Sequence, residues 1–218
     1  MKNIILAGLA MLLAIHGHAQ STTDRNKVDV DTEKIAAFRA FFNNPNVGNL
    51  HVYAPKTETV STDYYFSGTA IPRGYFDLID PFWRMFYSDD MKAFAVYTLK
   101  GTVDNNPYYL IRFESPGVRN TLDLFELSEG KLHHKKQLAA YWCMDQGCVQ
   151  KDSWIQDMDG DTQFDILKKV RMVERNQQGE FWSDDPYHIF YKQLSDGSFE
   201  ERPYPQSEIS DYIMESEK

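Results

Sequence analysis

The chain is poor in cysteine, in basic stretches and in catalytic motifs. Its 218 residues carry a formal charge of −9 and include two cysteines. An acidic chain without a basic stretch argues against nucleic acid and anionic lipid surfaces as partners. The sequence has no G-x-S-x-G, no H-E-x-x-H and no phosphate-binding P-loop, so no residue set specifies a reaction. It also lacks the regular βαβ alternation of Rossmann and TIM folds.

Long apolar runs are also scarce, and the single one is at the start of the chain. Ile4–Ile15 follows a positively charged start, and Gly17 and Ala19 occupy the −3 and −1 positions of a signal peptidase site. The run is shorter than the roughly 20 residues of a membrane-spanning helix. We therefore predict a secretory signal over residues 1–19, cleaved before Gln20, rather than a membrane anchor. Because of this predicted signal we expect a periplasmic or extracellular protein, and a glutamine at that position resembles exported proteins of Gram-negative bacteria.

The remaining sequence indicates one mainly β domain behind a single helix. Residues 20–30 are polar and predict a flexible segment. Residues 31–44 predict a helix, because Ile35, Phe38 and Phe42 recur at helical spacing and form an apolar stripe. Short strand patterns separated by turns follow. We expect residues 31–218 to form one domain that is mainly antiparallel β, either sandwich-like or a small propeller-like stack.

The two cysteines lie close together in the stretch YWCMDQGCVQ. Cys143 and Cys148 have the wrong spacing for a redox C-x-x-C motif. Outside the cytoplasm a pair this close predicts a disulfide. Its small loop gives about 2 kcal/mol in the chain-entropy treatment. The alternative is a metal site, which two cysteines without nearby ligating histidines serve poorly.

The stretch WIQDMDGDTQFDIL places four aspartates within the nine residues 157–165. Calcium prefers six to eight oxygen ligands, and carboxylates at positions 1, 3, 5 and 9 of a tight turn supply them. The flanking residues look like strands, so we expect the loop to join two strands. The alternatives are a magnesium site and a solvated acidic turn without an ion. The predicted calcium ligands are Asp157, Asp159, Asp161, the backbone carbonyl of Gln163, and Asp165.

The same loop resembles a known family. The loop does not match an EF-hand. An EF-hand has glycine at position 6 and glutamate at position 12, whereas this loop has Thr162 and Lys168 at those positions. The stretch DMDGDTQFDIL resembles the calcium loop of FG-GAP and VCBS-type repeats, found in integrin α-subunit propeller blades. Thr162 stands where that family usually has a second glycine. The resemblance covers roughly 15 residues, and it implies a hairpin loop with structural calcium and an extracellular binding role.

Other polar residues give weaker signals. His133 and His134 are adjacent, so on a strand they point to opposite faces, and we expect both at the surface. The many tyrosines and tryptophans fit strands and a core better than a sugar-binding surface.

These observations leave more than one hypothesis for function. The first is an exported, calcium-stabilised, non-catalytic protein that binds a protein or glycan at the bacterial cell envelope. The second is a secreted hydrolase that uses acidic residues on a polysaccharide. The third is a structural envelope protein without a small-molecule ligand.

Overall fold

The computed structural model describes most of the chain after the predicted flexible segment. The predicted signal peptide, residues 1–19, and the predicted flexible segment, residues 20–30, lie outside the described residues. The described residues are 32–44, 49–56, 63–100, 106–115, 117–144, 147–175, 181–183 and 185–215.

Within these residues, 11 strands form one antiparallel sheet. Strands β2 to β8 follow one another in the sheet as a meander, and β10 and then β11 continue the sheet beyond β8. In addition, β1 pairs with β7, and β9 pairs with β8. The mainly antiparallel β prediction is therefore confirmed. The strands are β1 Leu50–Val52, β2 Thr69–Ile71, β3 Lys92–Leu99, β4 Tyr108–Ser115, β5 Arg119–Ser128, β6 Lys131–Met144, β7 Gly147–Gln156, β8 Asp165–Arg175, β9 Phe181–Ser183, β10 Tyr187–Gln193 and β11 Phe199–Arg202.

The sheet folds over on itself where β6 and β7 part. Ala140–Met144 of β6 pairs with Gly147–Lys151 of β7. Beyond that point β7 pairs with β1 instead, through residues 153–155. Strands β2 to β6 thus form one layer, and β1, β7, β8, β10 and β11 form the other. This arrangement fits the sandwich-like alternative of the prediction.

Two apolar clusters stabilise the layers. An inner cluster contains side chains of both layers, among them Leu110 and Leu124 of one and Ile155 and Ile166 of the other. Their joint burial shows that the layers pack face to face. An outer cluster covers the opposite face of β3 to β6. Strand β4 therefore has apolar side chains buried on both faces, with Leu110 inside and Ile111 outside.

A helix over residues 32–39, α1, covers the outer cluster. Phe38 is buried there, and Ile35 and Phe42 pack against the same cluster, as the apolar stripe predicts. The helix ends earlier than predicted. After Arg39 the chain tightens into turns, in which the Phe42 amide donates to the Arg39 carbonyl at 3.3 Å.

The described chain also contains shorter helical segments. A 3₁₀ segment spans Arg73–Leu78, and helix α2 spans Pro81–Arg84 with the Asp80 carboxylate accepting from the Phe82 amide. A second 3₁₀ segment, Gln206–Asp211, follows β11. No helix in the described ranges is both long enough and apolar enough to cross a membrane.

Candidate metal and binding sites

The acidic loop joins β7 to β8, as its flanking residues predict. Gln156 at the end of β7 pairs with Asp165 at the start of β8, so the loop closes a hairpin. Asp157 organises the turn, because its carboxylate accepts the backbone amides of Gly160 at 2.7 Å and Thr162 at 2.9 Å. A side chain that caps consecutive amides in this way fixes the loop without regular secondary structure.

The side chain of Lys192 reaches the loop from β10. Its ammonium group donates to Asp159 and to Asp161, the latter at 2.9 Å. The hydrogen bonds from Lys192 and from the Gln163 amide lower the pKa of Asp161. Hydrogen bonds to Asp159 and Asp161 raise the pKa of Lys192 in turn. A positive charge therefore lies beside the loop, and it comes from the chain itself.

Asp165 is the buried member of the loop. Its carboxylate accepts the amides of Met158 at 3.2 Å and Gln193 at 3.3 Å. Burial raises its pKa, although these two hydrogen bonds oppose the shift. The Gln193 side chain donates to the Tyr108 hydroxyl at 3.0 Å and so connects the loop to the other sheet layer. The base of the loop is thus held rigidly by the core.

Three of the predicted ligands come together. One carboxylate oxygen from each of Asp157, Asp159 and Asp165 lies within 4.8 Å of the others. Oxygen atoms around one calcium ion, at about 2.4 Å from it, are at most about 4.8 Å apart. The three carboxylates are therefore close enough together to hold one divalent metal ion.

The other two predicted ligands lie in the same loop with different surroundings. The Asp161 carboxylate is engaged by Lys192 and by the Gln163 amide. The side-chain oxygen of Gln163 is buried and accepts no hydrogen bond from the described residues. An amide oxygen is also a ligand type that calcium accepts.

The loop backbone includes two left-handed residues. Gly160 has φ +80° and Thr162 has φ +70°. Glycine adopts this conformation without strain, whereas a β-branched residue does so at a cost. Thr162 thus takes up a backbone conformation that glycine would favour, at the position where the FG-GAP pattern has its second glycine.

The cysteine pair is a disulfide across the β6–β7 hairpin. Cys143 and Cys148 are directly opposite in the register, with Cα atoms 4.0 Å apart and sulfur atoms at bonding distance. The predicted pairing is confirmed.

An exposed apolar surface lies beside this disulfide. Trp142, Val149 and Met172 are lateral neighbours on β6, β7 and β8, and Met144 follows two residues after Trp142. We name these four residues the hairpin surface. Met144 is 62% exposed, and Met144, Val149 and Met172 line a pocket of about 370 Å³. Methionine and tryptophan are enriched at protein interfaces.

Sequence reasoning placed His134 at the surface, and this prediction is wrong. Its side chain is 9% exposed, stacks on Trp83 and lies 3.0 Å from the buried carboxylate of Asp123. The Thr121 hydroxyl donates to the second oxygen of Asp123 at 2.8 Å. Helix α2, which carries Trp83, covers the histidine, and the local sequence around His134 contains no signal for this contact. His133, in contrast, is 41% exposed at its side chain.

Sequence reasoning also missed a group of lysines inside the sandwich. Lys136, Lys151 and Lys168 lie on β6, β7 and β8, and Lys168 is 8% exposed. The signal in the sequence was a lysine pair with apolar residues on either side, Lys168 and Lys169 between Leu167 and Val170.

Comparison with protein-family models, with curated proteins and with solved structures finds no match to this chain.

Proposed function

We propose that the protein is an exported, non-catalytic binding protein of the bacterial cell envelope whose β fold is stabilised by calcium in the loop 157–165. The observation that carries the proposal is the convergence of Asp157, Asp159 and Asp165 within 4.8 Å. When calcium is bound, it neutralises these carboxylates and thereby holds the β7–β8 hairpin closed.

Charge balance supports an ion at this position. The loop has four carboxylates and receives one positive charge from Lys192, so a formal charge of −3 remains on five groups. Like charges this close repel one another even in water. A divalent ion reduces the excess to −1. Calcium suits the site better than magnesium, because magnesium keeps its waters and avoids an all-protein cage.

The disulfide supports a location outside the cytoplasm. Cys143 and Cys148 form a bond that an oxidising compartment maintains. The predicted signal over residues 1–19 is the matching export element. Both features are compatible with the periplasm and with the cell exterior.

The hairpin surface supports a binding role. Its exposed tryptophan and methionines favour a protein as the partner, with a glycan as the alternative that the binding experiment distinguishes. The hydrolase alternative gains no support from the buried aspartates outside the loop. Asp123 lies on β5 and Asp152 on β7, and each carboxylate is paired with a histidine rather than with the other carboxylate.

Thermal unfolding in calcium and in EDTA tests the metal. At a calcium concentration about 100 times the dissociation constant, mass action adds about 2.7 kcal/mol. For a chain of this size we expect the melting temperature to rise by about 5–10 °C. Isothermal titration calorimetry should show one site, and the variants Asp157→Asn and Asp159→Asn should lose most of the rise.

Asp196→Asn is the matched control, because Asp196 caps a different exposed turn through Ser198 and should leave the calcium response intact. Equal melting temperatures in calcium and EDTA, with no heat of binding, would contradict the proposal. A rise in melting temperature with magnesium that equals the rise with calcium would show that the site does not select calcium.

Crosslinking to envelope extracts tests the partner. We expect a Met144→Ser/Met172→Ser variant to lose a protein that the wild-type chain captures. Met85→Ser is the control, since Met85 is 73% exposed but lies just beyond α2. Capture that is identical in all three proteins would remove the hairpin surface from the proposal, and competition by a polysaccharide would identify a glycan.

A further inference from the structure

Three lysines face the space between the two sheet layers. Lys136 on β6 lies opposite Leu124, a member of the inner cluster. Lys168 on β8 shares its face with Ile166, another member, two residues earlier. The third lysine, Lys151 on β7, donates to the Gln137 side chain at 2.8 Å. Strands of both layers thus contribute ammonium groups to the same region.

The ring of Tyr191 is the common neighbour of two of these lysines. The Lys136 nitrogen lies 3.7 Å from the ring centroid, and the Lys168 nitrogen lies 5.3 Å from it. Tyr191 is on β10 and packs against the inner cluster. An aromatic face attracts a cation weakly, but it does not replace a hydrogen-bond acceptor.

No residue in the described part of the chain supplies Lys168 with such an acceptor. The residue is 92% buried, since 8% of its surface is exposed, and its ammonium nitrogen keeps some contact with solvent, because it is not one of the fully buried side-chain atoms without a hydrogen-bond partner. Among the described residues, none accepts a hydrogen bond from the ammonium group of Lys168 or of Lys136. A largely desolvated ammonium group without an acceptor is costly, and an anion that donates no proton would relieve that cost.

Nearby carboxylates do not fill this role. Asp123 is buried, and its two oxygens are already engaged by His134 and Thr121. Burial is the main cause that lowers the pKa of Lys168 to about 8; the charges of Lys151 and Lys136 contribute to the lowering, and the charge of Asp123 opposes it. Burial lowers the pKa of Lys136 and the charge of Glu201 opposes that lowering, so two carboxylates face three ammonium groups and the region keeps an excess of positive charge.

We propose that Lys136, Lys151 and Lys168 form a binding site for a small oxyanion, of the phosphate, sulfate or carboxylate class. The ammonium groups supply charge-assisted hydrogen bonds to the anion oxygens. Lys136 and Lys151 are partly exposed, so the anion enters from their side and its charge reaches the buried Lys168. The site is separate from the acidic loop and does not depend on the calcium proposal.

Calorimetric titration of the full chain with sodium phosphate, sodium sulfate and sodium glucuronate tests the site. Calcium-free buffer and matched ionic strength separate binding from screening. We expect saturable binding of at least one of the three anions. Lys168→Met and Lys136→Met should each weaken that binding about tenfold or more. A site that takes glucuronate alone would mark the carboxylate of a sugar as the ligand, whereas phosphate or sulfate binding would mark the free oxyanion.

Lys135→Met is the matched control. Lys135 is on the same strand as Lys136 and pairs with Glu126 at the surface at 2.6 Å. This variant removes the same charge and should bind as the wild-type protein does. Absence of saturable binding in the wild-type protein, or equal loss in Lys135→Met and Lys168→Met, would overturn the proposal. Circular dichroism of each variant confirms that it is folded.

Discussion

The ammonium nitrogen of Lys192 lies 2.9 Å from the Asp161 carboxylate and also donates to Asp159. This lysine neutralises part of the loop, and under the calcium proposal it competes there with the ion. We expect Lys192→Met to lower the melting temperature in EDTA, because the loop loses its internal counter-charge. Calcium should recover more stability in the variant than in the wild-type protein. Melting in EDTA and in calcium measures both effects.

The control for this experiment is Lys92→Met, which removes a lysine that is exposed at the start of β3. It should change neither the stability in EDTA nor the calcium response. A Lys192→Met protein whose calcium response is equal to or smaller than that of the wild-type protein would show that lysine and metal do not share the site.

Thr162 stores backbone strain in the loop. Its φ of +70° suits glycine, and its amide still donates to Asp157 at 2.9 Å. We expect Thr162→Gly to increase the free energy of unfolding by about 1 kcal/mol, because the strain is larger than the added flexibility of glycine. Urea denaturation measures the change.

Gly160→Ala is the opposite test in the same loop. Gly160 has φ +80°, and no atom lies within 4 Å of the position that a Cβ would take. The substitution should therefore lower stability by about 1 kcal/mol through the backbone alone. If both variants shift stability in the same direction, left-handed strain is not the cause.

The Cys143–Cys148 disulfide closes a short hairpin, so its stabilisation is modest. We expect Cys143→Ser/Cys148→Ser to lose about 2 kcal/mol and the melting temperature to fall by about 4–8 °C. Reduction of the wild-type protein should give the same fall. The double variant should be insensitive to the reductant, and a wild-type protein that is equally insensitive would contradict the expectation.

The sequence predicted those features of the fold that depend on residues close together in the chain. The stripe Ile35–Phe38–Phe42 predicted α1, and the short spacing of the cysteines predicted their pairing. The stretch Ser128–Lys131 also predicts a hairpin turn, because Glu129 and Gly130 stand between two strand patterns. Glu129 and Gly130 both have positive φ, which is the conformation of a two-residue hairpin turn.

Contacts between distant strands could not be read from the sequence. The split of β7 between β6 and β1 separates the two layers, and no residue near 152 signals it. The same holds for Lys192, which lies 31 residues beyond Asp161 in the chain. Sequence reasoning sought a metal ion as the positive charge at the loop and did not consider a lysine of the same chain.

Lys168 gives the fold a pH dependence. In the folded state its pKa is about 8, against an ordinary value of 10.5. Between these values the unfolded chain binds more protons, so the free energy of unfolding rises with pH from about 8 upward. Lys136 and Lys151, whose pKa values burial also lowers, add to the rise, whereas the charges of Asp123 and Glu201 oppose it.

Lys168→Met isolates this contribution. In anion-free buffer at pH 7 the variant should be more stable than the wild-type protein by about 1–3 kcal/mol, because a largely desolvated charge is removed. The difference should shrink as the pH rises from 8 to 10, since Lys168 then loses its proton in the folded protein. Tyrosines such as Tyr64, whose pKa burial raises, affect both proteins alike and cancel in the comparison. A difference that stays constant across this range would show that Lys168 is not a desolvated cation, and the anion site would lose its main support.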